Sequence, residues 1–219
     1  MTLEKLNSEI IACRKCSRLV EWREQVAHKK RKAYREHEYW GKPVPGFGDP
    51  DARVLVVGLA PGAHGSNRTG RQFTGDASGK FLFPALHRAG FASQPDSSAR
   101  DDGLVLHDLY ITAAGRCAPP GNKPTLQELA NCQPFLEREL ALIEPRVIVV
   151  LGRMAFDRIL RIKSTRPAVW KFAHGVDFQF PDGTWLVCSY HPSQQNTSTG
   201  KLTVSMFDQI WKKARNLLK

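Results

Sequence analysis

The chain has 219 residues, of which 42% are hydrophobic and 24% are charged. This composition is ordinary for a globular protein, and the length predicts one domain spanning residues 1–219. Lys and Arg number 32 against 21 Asp and Glu, a formal net charge of +11. Such an excess favours a polyanionic partner, most often nucleic acid. We find no apolar run long enough to span a membrane and no signal-peptide pattern, so we expect a cytoplasmic protein without a membrane partner.

The N-terminal quarter of the chain divides into a helical and a basic part. Residues 2–20 carry apolar side chains at helical spacing and predict a first helix. Residues 21–50 read as a basic excursion from the core rather than a second domain, and Gly41–Gly48 within it reads as irregular backbone. The run from His28 to Lys32 within it is either a solvated charged face or a contact with a nucleic-acid backbone.

From residue 53 onward, short apolar runs rich in β-branched residues alternate with helical patterns. The runs predict buried strands at Val54–Val57, Leu109–Thr112, Val147–Leu151 and Trp185–Tyr190. The helices are expected at about residues 79–89, 125–143, 153–161 and 201–218. Alternating strands and helices imply an α/β protein, a three-layer α/β/α sandwich around a mostly parallel sheet.

Unusual residues follow each of these strands. They are Gly58–Gly62, Gly115–Pro120, Gly152–Arg153 and His191–Ser193. Ligands of open α/β sheets bind outside the carboxyl ends of the strands. We therefore expect the functional site where these four loops meet.

Four of the five cysteines form two pairs. Cys13 and Cys16 make a CxxC motif, and Cys117 and Cys132 make a wider pair. The spacing is compatible with an iron–sulfur cluster, with zinc or with unliganded thiols, and the wide second pair favours the cluster. Cys188 falls inside the fourth apolar run and is expected to be a buried hydrophobic residue.

Three side chains in the loops each have two interpretations. Phe73, in a glycine-flanked loop, either stacks on a flat ring or plugs the loop. Asp76 either caps the helix that follows it or presents a carboxylate to the site, and both roles are compatible only if one oxygen stays free. His191 either donates a hydrogen bond to a developing anion or is a satisfied core histidine.

Considered together, these motifs resemble a known family. The segments Gly58–Gly65, Arg71–Gly79 and His191–Ser193 and the two cysteine pairs resemble the iron–sulfur uracil-DNA glycosylases of bacteria and archaea, in detail the family 5 or type b branch. The resemblance covers about residues 10–215. It implies the uracil-DNA glycosylase fold, with a four-stranded parallel sheet between helices. It also implies monofunctional removal of uracil from DNA, at the start of base excision repair.

The resemblance also implies roles for individual residues. It assigns a [4Fe–4S] cluster to Cys13, Cys16, Cys117 and Cys132, catalysis to Asp76 and His191, and substrate contacts to Gly62, Ala63, Phe73, Asn122 and Ser193. The enzyme is expected to act as a monomer on damaged bases in double-stranded and single-stranded DNA.

Two positions depart from the related family 4 pattern. Family 4 has Glu where this chain has Leu59, and Asn where it has Ala113. The first change leaves Asp76 as the expected catalytic carboxylate. The second removes an amide that reads the edge of uracil, so we expect hypoxanthine and xanthine to be excised as well.

Two alternative functions remain compatible with the residues. One is a non-catalytic iron–sulfur protein of the same fold that only binds DNA. The other is a zinc-stabilised phosphoesterase or nuclease, for which His64 and Asp76 alone give thin support.

Overall fold

A six-stranded sheet lies at the centre of the computed structural model, which describes residues 2–164 and 170–219. The strands are β1 (Phe47–Gly48), β2 (Val54–Gly58), β3 (Leu109–Ala113), β4 (Val147–Leu151), β5 (Asp177–Gln179) and β6 (Trp185–Ser189). Their order across the sheet is β1-β3-β2-β4-β6-β5. The four inner strands are parallel to one another, which confirms the predicted parallel core.

The register of the inner strands aligns their carboxyl ends. Val54 of β2 lies opposite Leu109 of β3 and Val147 of β4. All five residues of each of these strands are buried, as parallel strands covered on both faces require. The alignment brings the loops after β2, β3, β4 and β6 to one edge of the sheet.

The two outer strands were not predicted. Strand β1 pairs antiparallel with β3, and β5 pairs antiparallel with β6, so the sheet has six strands in the described residues rather than four. The outer strands have two and three residues and are not fully buried. Segments this short and this exposed lack the apolar run by which the inner strands are identified.

Helices cover both faces of the sheet and complete the predicted sandwich. Within residues 2–164 and 170–219 they are α1 (Leu3–Ile11), α2 (Ser17–Lys29), α3 (Ser66–Thr69), α4 (Ala77–Arg88), α5 (Leu126–Ile143), α6 (Arg153–Ile162), α7 (Gln194–Ser198) and α8 (Val204–Asn216). Helices α4 and α8 pack on one face of the sheet, and α5 and α6 pack on the other. None of these helices is long and apolar enough to cross a bilayer.

The N-terminal segment differs from the expectation of one helix over residues 2–20. Helix α1 ends at Ile11 and α2 begins at Ser17, so the CxxC motif lies in the turn between two helices. Cys16 has extended backbone at the start of α2. Helix α2 then continues to Lys29, well into the segment expected to be an excursion from the core. The apolar spacing continues through the break, which is why the sequence pattern suggested one helix.

Candidate active site

A cleft of about 680 Å³ opens at the carboxyl edge of the inner strands. This volume is within the range of roughly 300–1,000 Å³ typical of small-ligand sites. The cleft is lined by each of the expected catalytic and substrate-binding residues: Gly62, Ala63, Phe73, Asp76, Asn122, His191 and Ser193. The fold therefore brings together residues that are as much as 131 positions apart in the chain, from Gly62 to Ser193.

Asp76 is held by the helix that follows it. It is the N-cap residue of α4, and its Oδ1 accepts a hydrogen bond from the Gly79 backbone N–H at 3.0 Å. Its Oδ2 lies against the glycine-rich loop after β2. A Cβ atom added to Gly65 would lie 2.1 Å from Oδ2, and one added to Gly62 would lie 3.1 Å from it. One oxygen thus caps the helix while the other packs against glycines that line the cleft, so the two interpretations of this residue are compatible.

The environment of Asp76 raises its pKa. Burial raises the pKa of the Asp76 carboxyl above its ordinary value, while the backbone N–H groups of Gly79 and Ser78 and the charge of Arg68 act in the opposite direction. A carboxylate that is partly removed from water interacts strongly with a positive charge that develops beside it.

His191 follows β6 and faces the same cleft. Its backbone carbonyl accepts a hydrogen bond from Asn196 Nδ2 at 2.8 Å, which anchors the loop. Burial lowers the pKa of the His191 imidazole to about 4. The ring is therefore neutral at neutral pH, and a neutral imidazole can donate one N–H hydrogen bond without bringing a charge.

Phe73 forms a wall of the cleft. Its ring is only 7% exposed and lies over Gly58, where an added Cβ would be 2.8 Å from the Phe73 Cζ. The ring centroids of Phe73 and His191 are 5.9 Å apart. Phe73 has a positive φ of 53°, a conformation that non-glycine residues rarely adopt. The loop therefore holds this ring against the end of β2, where it contributes an apolar surface to the cleft.

The ends of β2 and β3 present no polar side chain to the cleft. Ala113 ends β3 opposite Gly58 of β2, and Leu59 follows β2. Both Leu59 and Ala113 line the cleft. The cleft therefore has neither a carboxylate nor an amide at these two positions.

Several cleft residues were not expected from the sequence. Arg31, Tyr34, His64 and Gln72 line it too. His64 Nδ1 lies 3.1 Å from the Tyr39 hydroxyl, and burial, followed by the charges of Arg31 and Arg68, lowers the pKa of this histidine. Arg31 belongs to the basic run whose role the sequence left open. The aromatic residues that cluster just after this run were the sequence signal that could have pointed to the cleft.

The four paired cysteines line a second, smaller cavity. Cys13 and Cys16 come from the turn between α1 and α2, Cys117 from the loop after β3, and Cys132 from α5. The fold therefore gathers both pairs in one place. Cys188 lies apart from them, fully buried in β6, as its apolar surroundings in the sequence indicated.

The surroundings of these thiols suit an anionic, thiolate-bound group. Burial raises the pKa of Cys117 to about 12, so thiolates here require compensating positive charge. Arg23 is 1% exposed, and its Nη1 donates to Cys117 Sγ at 2.9 Å. Its Nε has no hydrogen-bond partner among the residues that the structure describes. Asn131 Nδ2 lies 3.3 Å from Cys16 Sγ.

In the described ranges, no three His, Cys, Asp or Glu side chains form a group that could hold a metal ion. The four thiols surround a shared cavity, and a buried cation and an amide point at two of the sulfurs. This donor set fits an iron–sulfur cluster, whose sulfurs accept such hydrogen bonds.

Comparisons of the sequence with known proteins identify related enzymes. The model of the uracil-DNA glycosylase superfamily matches residues 45–215. The chain is 53% identical over 218 residues to the type-5 uracil-DNA glycosylase of Thermus thermophilus, covering 99% of both chains. It is 49% identical to the type-5 enzyme of Mycobacterium leprae, covering 99% of this chain and 96% of that one. Identity to the type-4 enzyme of Archaeoglobus fulgidus is 34%, covering 74% of this chain and 65% of the relative.

These matches confirm the resemblance found in the motifs, and they decide for catalysis over the two alternative functions. The chain belongs to the uracil-DNA glycosylase superfamily and, within it, to the type-5 uracil-DNA glycosylases, hydrolases that cleave the N-glycosidic bond of uracil in DNA during repair.

Proposed function

We propose that this enzyme is a monofunctional glycosylase that removes uracil, hypoxanthine and xanthine from DNA with Asp76 and His191 as catalytic residues. It acts as a monomeric single domain, residues 1–219, on damaged bases in double-stranded and single-stranded DNA. The observation that carries the proposal is the split role of the Asp76 carboxylate, with Oδ1 on the helix cap and Oδ2 at the cleft. A glycosidic bond inside a duplex is out of reach of such a cleft, so the target nucleotide must be flipped out of the stack.

The reaction breaks the C1′–N bond and adds water to C1′. The bonding electron pair leaves with the base, so the sugar becomes cation-like while the base becomes anionic. The Asp76 carboxylate stabilises the sugar cation and orients the attacking water. The water oxygen forms the new bond to C1′, and a proton from the water ultimately passes to the departing base.

His191 acts on the opposite charge. Because its imidazole is neutral, its N–H donates a hydrogen bond to the base oxygen, O2 in uracil, where negative charge develops. Preorganised donors of this kind commonly contribute 10²- to 10³-fold to the rate. Phe73 offers its ring face to the base, and the backbone amides at Gly62 and Ala63 anchor the base or the water.

The wall formed by Leu59 and Ala113 sets the range of substrates. A site that hydrogen-bonds one base edge rejects analogues strongly, because its polar groups are otherwise left unpaired. No such amide projects from the end of β3 here. Selection therefore depends on how readily a base flips and how well it leaves, both of which favour deaminated bases. Asn122 and Ser193, at the rim, contribute polar contacts to whichever base enters.

The DNA backbone is held by charge. The net charge of +11 supplies sequence-independent affinity that weakens with salt. Arg31 is exposed and lines the cleft, where a flipped nucleotide would bring its phosphates. This position favours the interpretation of the basic run as a DNA contact.

Cys13, Cys16, Cys117 and Cys132 are the residues that would hold the [4Fe–4S] cluster. When bound, the cluster supplies iron–thiolate bonds that cross-link the α1–α2 turn to α5 and to the loop after β3. Arg23 connects this region to the active site, because Asn67 Nδ2 donates to its backbone carbonyl at 3.2 Å and the Asn67 N–H donates to the Gly62 carbonyl at 3.0 Å.

Replacing the proposed catalytic carboxylate tests the mechanism. We expect Asp76→Asn to lower single-turnover uracil excision at least tenfold, about the effect of losing one preorganised catalytic group, while the dissociation constant for DNA stays similar. Asparagine also caps helices well, so α4 is preserved. The exposed Asp101→Asn is the matched control and should leave excision unchanged. Full activity in Asp76→Asn would remove Asp76 from the mechanism.

The state of His191 predicts the pH profile. Since its folded pKa is about 4 rather than 6.5, the ring stays neutral as the pH falls through 6.5. Single-turnover excision with saturating enzyme should therefore show no step near 6.5 that depends on His191. In His191→Gln we expect a loss of about 10²- to 10³-fold at every pH. A wild-type step near 6.5 that disappears in His191→Gln would show that the ring titrates there, against this account.

The absence of an amide side chain at Ala113 predicts that the enzyme excises several kinds of base. Oligonucleotides that contain uracil, hypoxanthine or xanthine should all yield abasic sites, measured by alkaline cleavage of labelled strands. Ala113→Asn adds an amide to the wall and should lower hypoxanthine release relative to uracil release. An enzyme that acts on uracil alone would contradict the interpretation that the missing amide at Ala113 relaxes the selection of bases.

The cysteine cavity predicts a bound cluster. Anaerobic reconstitution with iron and sulfide should give about four irons per chain, visible absorbance and a higher thermal midpoint. Cys132→Ser should abolish the absorbance and lower the midpoint, whereas Cys188→Ser should retain the iron because that thiol lies in the core of the sheet. Failure of the wild-type chain to take up iron would refute the assignment.

A further inference from the structure

Arg68, in the short helix α3, is a buried cation with an unusual set of partners. It is 7% exposed, and its Nε donates to the His64 carbonyl at 2.9 Å. Its Nη2 donates to the Gly75 carbonyl at 3.0 Å, and its Nη1 to His37 Nδ1 at 3.1 Å. Arg68 makes no ion pair with a carboxylate in the part of the chain that the structure describes.

The two carbonyl acceptors have a specific place in the chain. His64 directly precedes Gly65, and Gly75 directly precedes Asp76. Gly65 and Asp76 are the two residues whose close approach places Oδ2 at the cleft. The planar guanidinium of Arg68 therefore binds the backbone carbonyl that precedes each of these two residues. Arginine can do this because its N–H donors diverge in a fixed plane, whereas the ammonium group of a lysine is a single point.

The approach of the guanidinium depends on Gly75. An added Cβ at Gly75 would lie 2.3 Å from Arg68 Nη2, and this residue has φ of +77°. On its other side, the guanidinium carbon lies 4.1 Å from the ring centroid of Tyr34, which itself lines the cleft. Arg68 thus also connects the segment after α2 to the catalytic loops.

We propose that Arg68 is a positioning residue for catalysis: by bridging the carbonyls of His64 and Gly75 it holds the Asp76 carboxylate over Gly65 and keeps a buried positive charge beside it. This inference rests on the proposed catalytic role of Asp76. A displacement of about 1 Å in a catalytic group can cost about 10²-fold in rate. The charge of Arg68 also lowers the pKa of Asp76, in opposition to the effect of burial.

A double-mutant cycle separates positioning from a merely structural role. Arg68→Lys keeps the positive charge but cannot bridge the two carbonyls. We expect it to lower single-turnover uracil excision at least tenfold with little change in the dissociation constant for DNA. In the Asp76→Asn background the same change should cost nothing further, because the carboxylate that Arg68 positions is gone. Arg71→Lys is the matched control, since Arg71 is a buried arginine of the same loop that pairs with Asp102. Its effect on excision should be equal in both backgrounds.

The pH profile gives a second readout. Among the described residues, the charged or titratable side chains that share the cleft with Asp76 are Arg31, Tyr34, His64 and His191, and all four remain in the variants. Arg68→Met removes the charge beside Asp76, so the acidic limb of the excision profile should move to higher pH. Arg68→Lys keeps the charge and should leave the limb close to the wild-type position. Comparison of the two variants separates loss of the charge from a disturbance of the packing around Asp76.

The outcomes distinguish this inference from the proposed function. If Asp76→Asn is fully active, the proposed function fails and the inference fails with it. If Asp76→Asn is impaired but Arg68→Lys excises uracil at the wild-type rate, or loses the same factor with and without Asp76, only the inference is overturned. If Arg68→Met does not fold, as judged by circular dichroism, the cycle with Arg68→Lys decides.

Discussion

The close contact between the Asp76 carboxylate and the glycine loop is the constraint on which the active site depends. Gly65 has room for Oδ2 only because it has no side chain. The contact joins the loop after β2 to the start of α4, and the helix N-terminus stabilises the negative charge that is held there. Without it, Asp76 would be an ordinary helix cap that lies away from the chemistry.

Burial then gives the two proposed catalytic groups complementary properties. It raises the pKa of Asp76 and lowers that of His191, so both groups are biased toward their neutral forms. Backbone donors and Arg68 partly reverse the bias at Asp76, whereas only burial acts on His191. In the proposed mechanism, the Asp76 carboxylate acts on the sugar and the neutral His191 donor acts on the base, which matches the opposite charges that develop as the glycosidic bond breaks. Leu59 and Ala113, which line the same cleft, carry no polar side-chain group that could read a base edge.

The features that the sequence predicted well are those determined locally. Runs such as Val147–Leu151 are apolar throughout and mostly β-branched, so the inner strands and the loops at their ends could be identified. The edge strands could not be identified, because Phe47–Gly48 and Asp177–Gln179 become strands only by pairing with a neighbour. The break between α1 and α2 was missed for a related reason, since the apolar spacing continues through the turn that holds the CxxC motif.

Some residues of the candidate site could be predicted from local sequence patterns, whereas others could not because only tertiary packing brings them to the cleft. Asp76 and His191 flank strands or helices and were found from that position and from the family resemblance. Arg31 and Tyr34 reach the cleft through tertiary packing of the segment after α2, which also brings Tyr34 against Arg68 and which no local pattern reveals. For Phe73 the sequence left two interpretations open, stacking on a flat ring or plugging the loop, and the fold places its ring against Gly58 as a wall of the cleft.

Substitution at Gly65 tests the central claim most directly, because it displaces the carboxylate without changing it. Single-turnover uracil excision should be measured for Gly65→Ala, for Asp76→Asn and for the double variant. Gly115→Ala serves as a control, since an added Cβ there meets its neighbours at an ordinary 3.5 Å. We predict that Gly65→Ala loses nearly as much activity as Asp76→Asn and that the double variant loses no more than either. Wild-type excision by a folded Gly65→Ala enzyme would contradict the account.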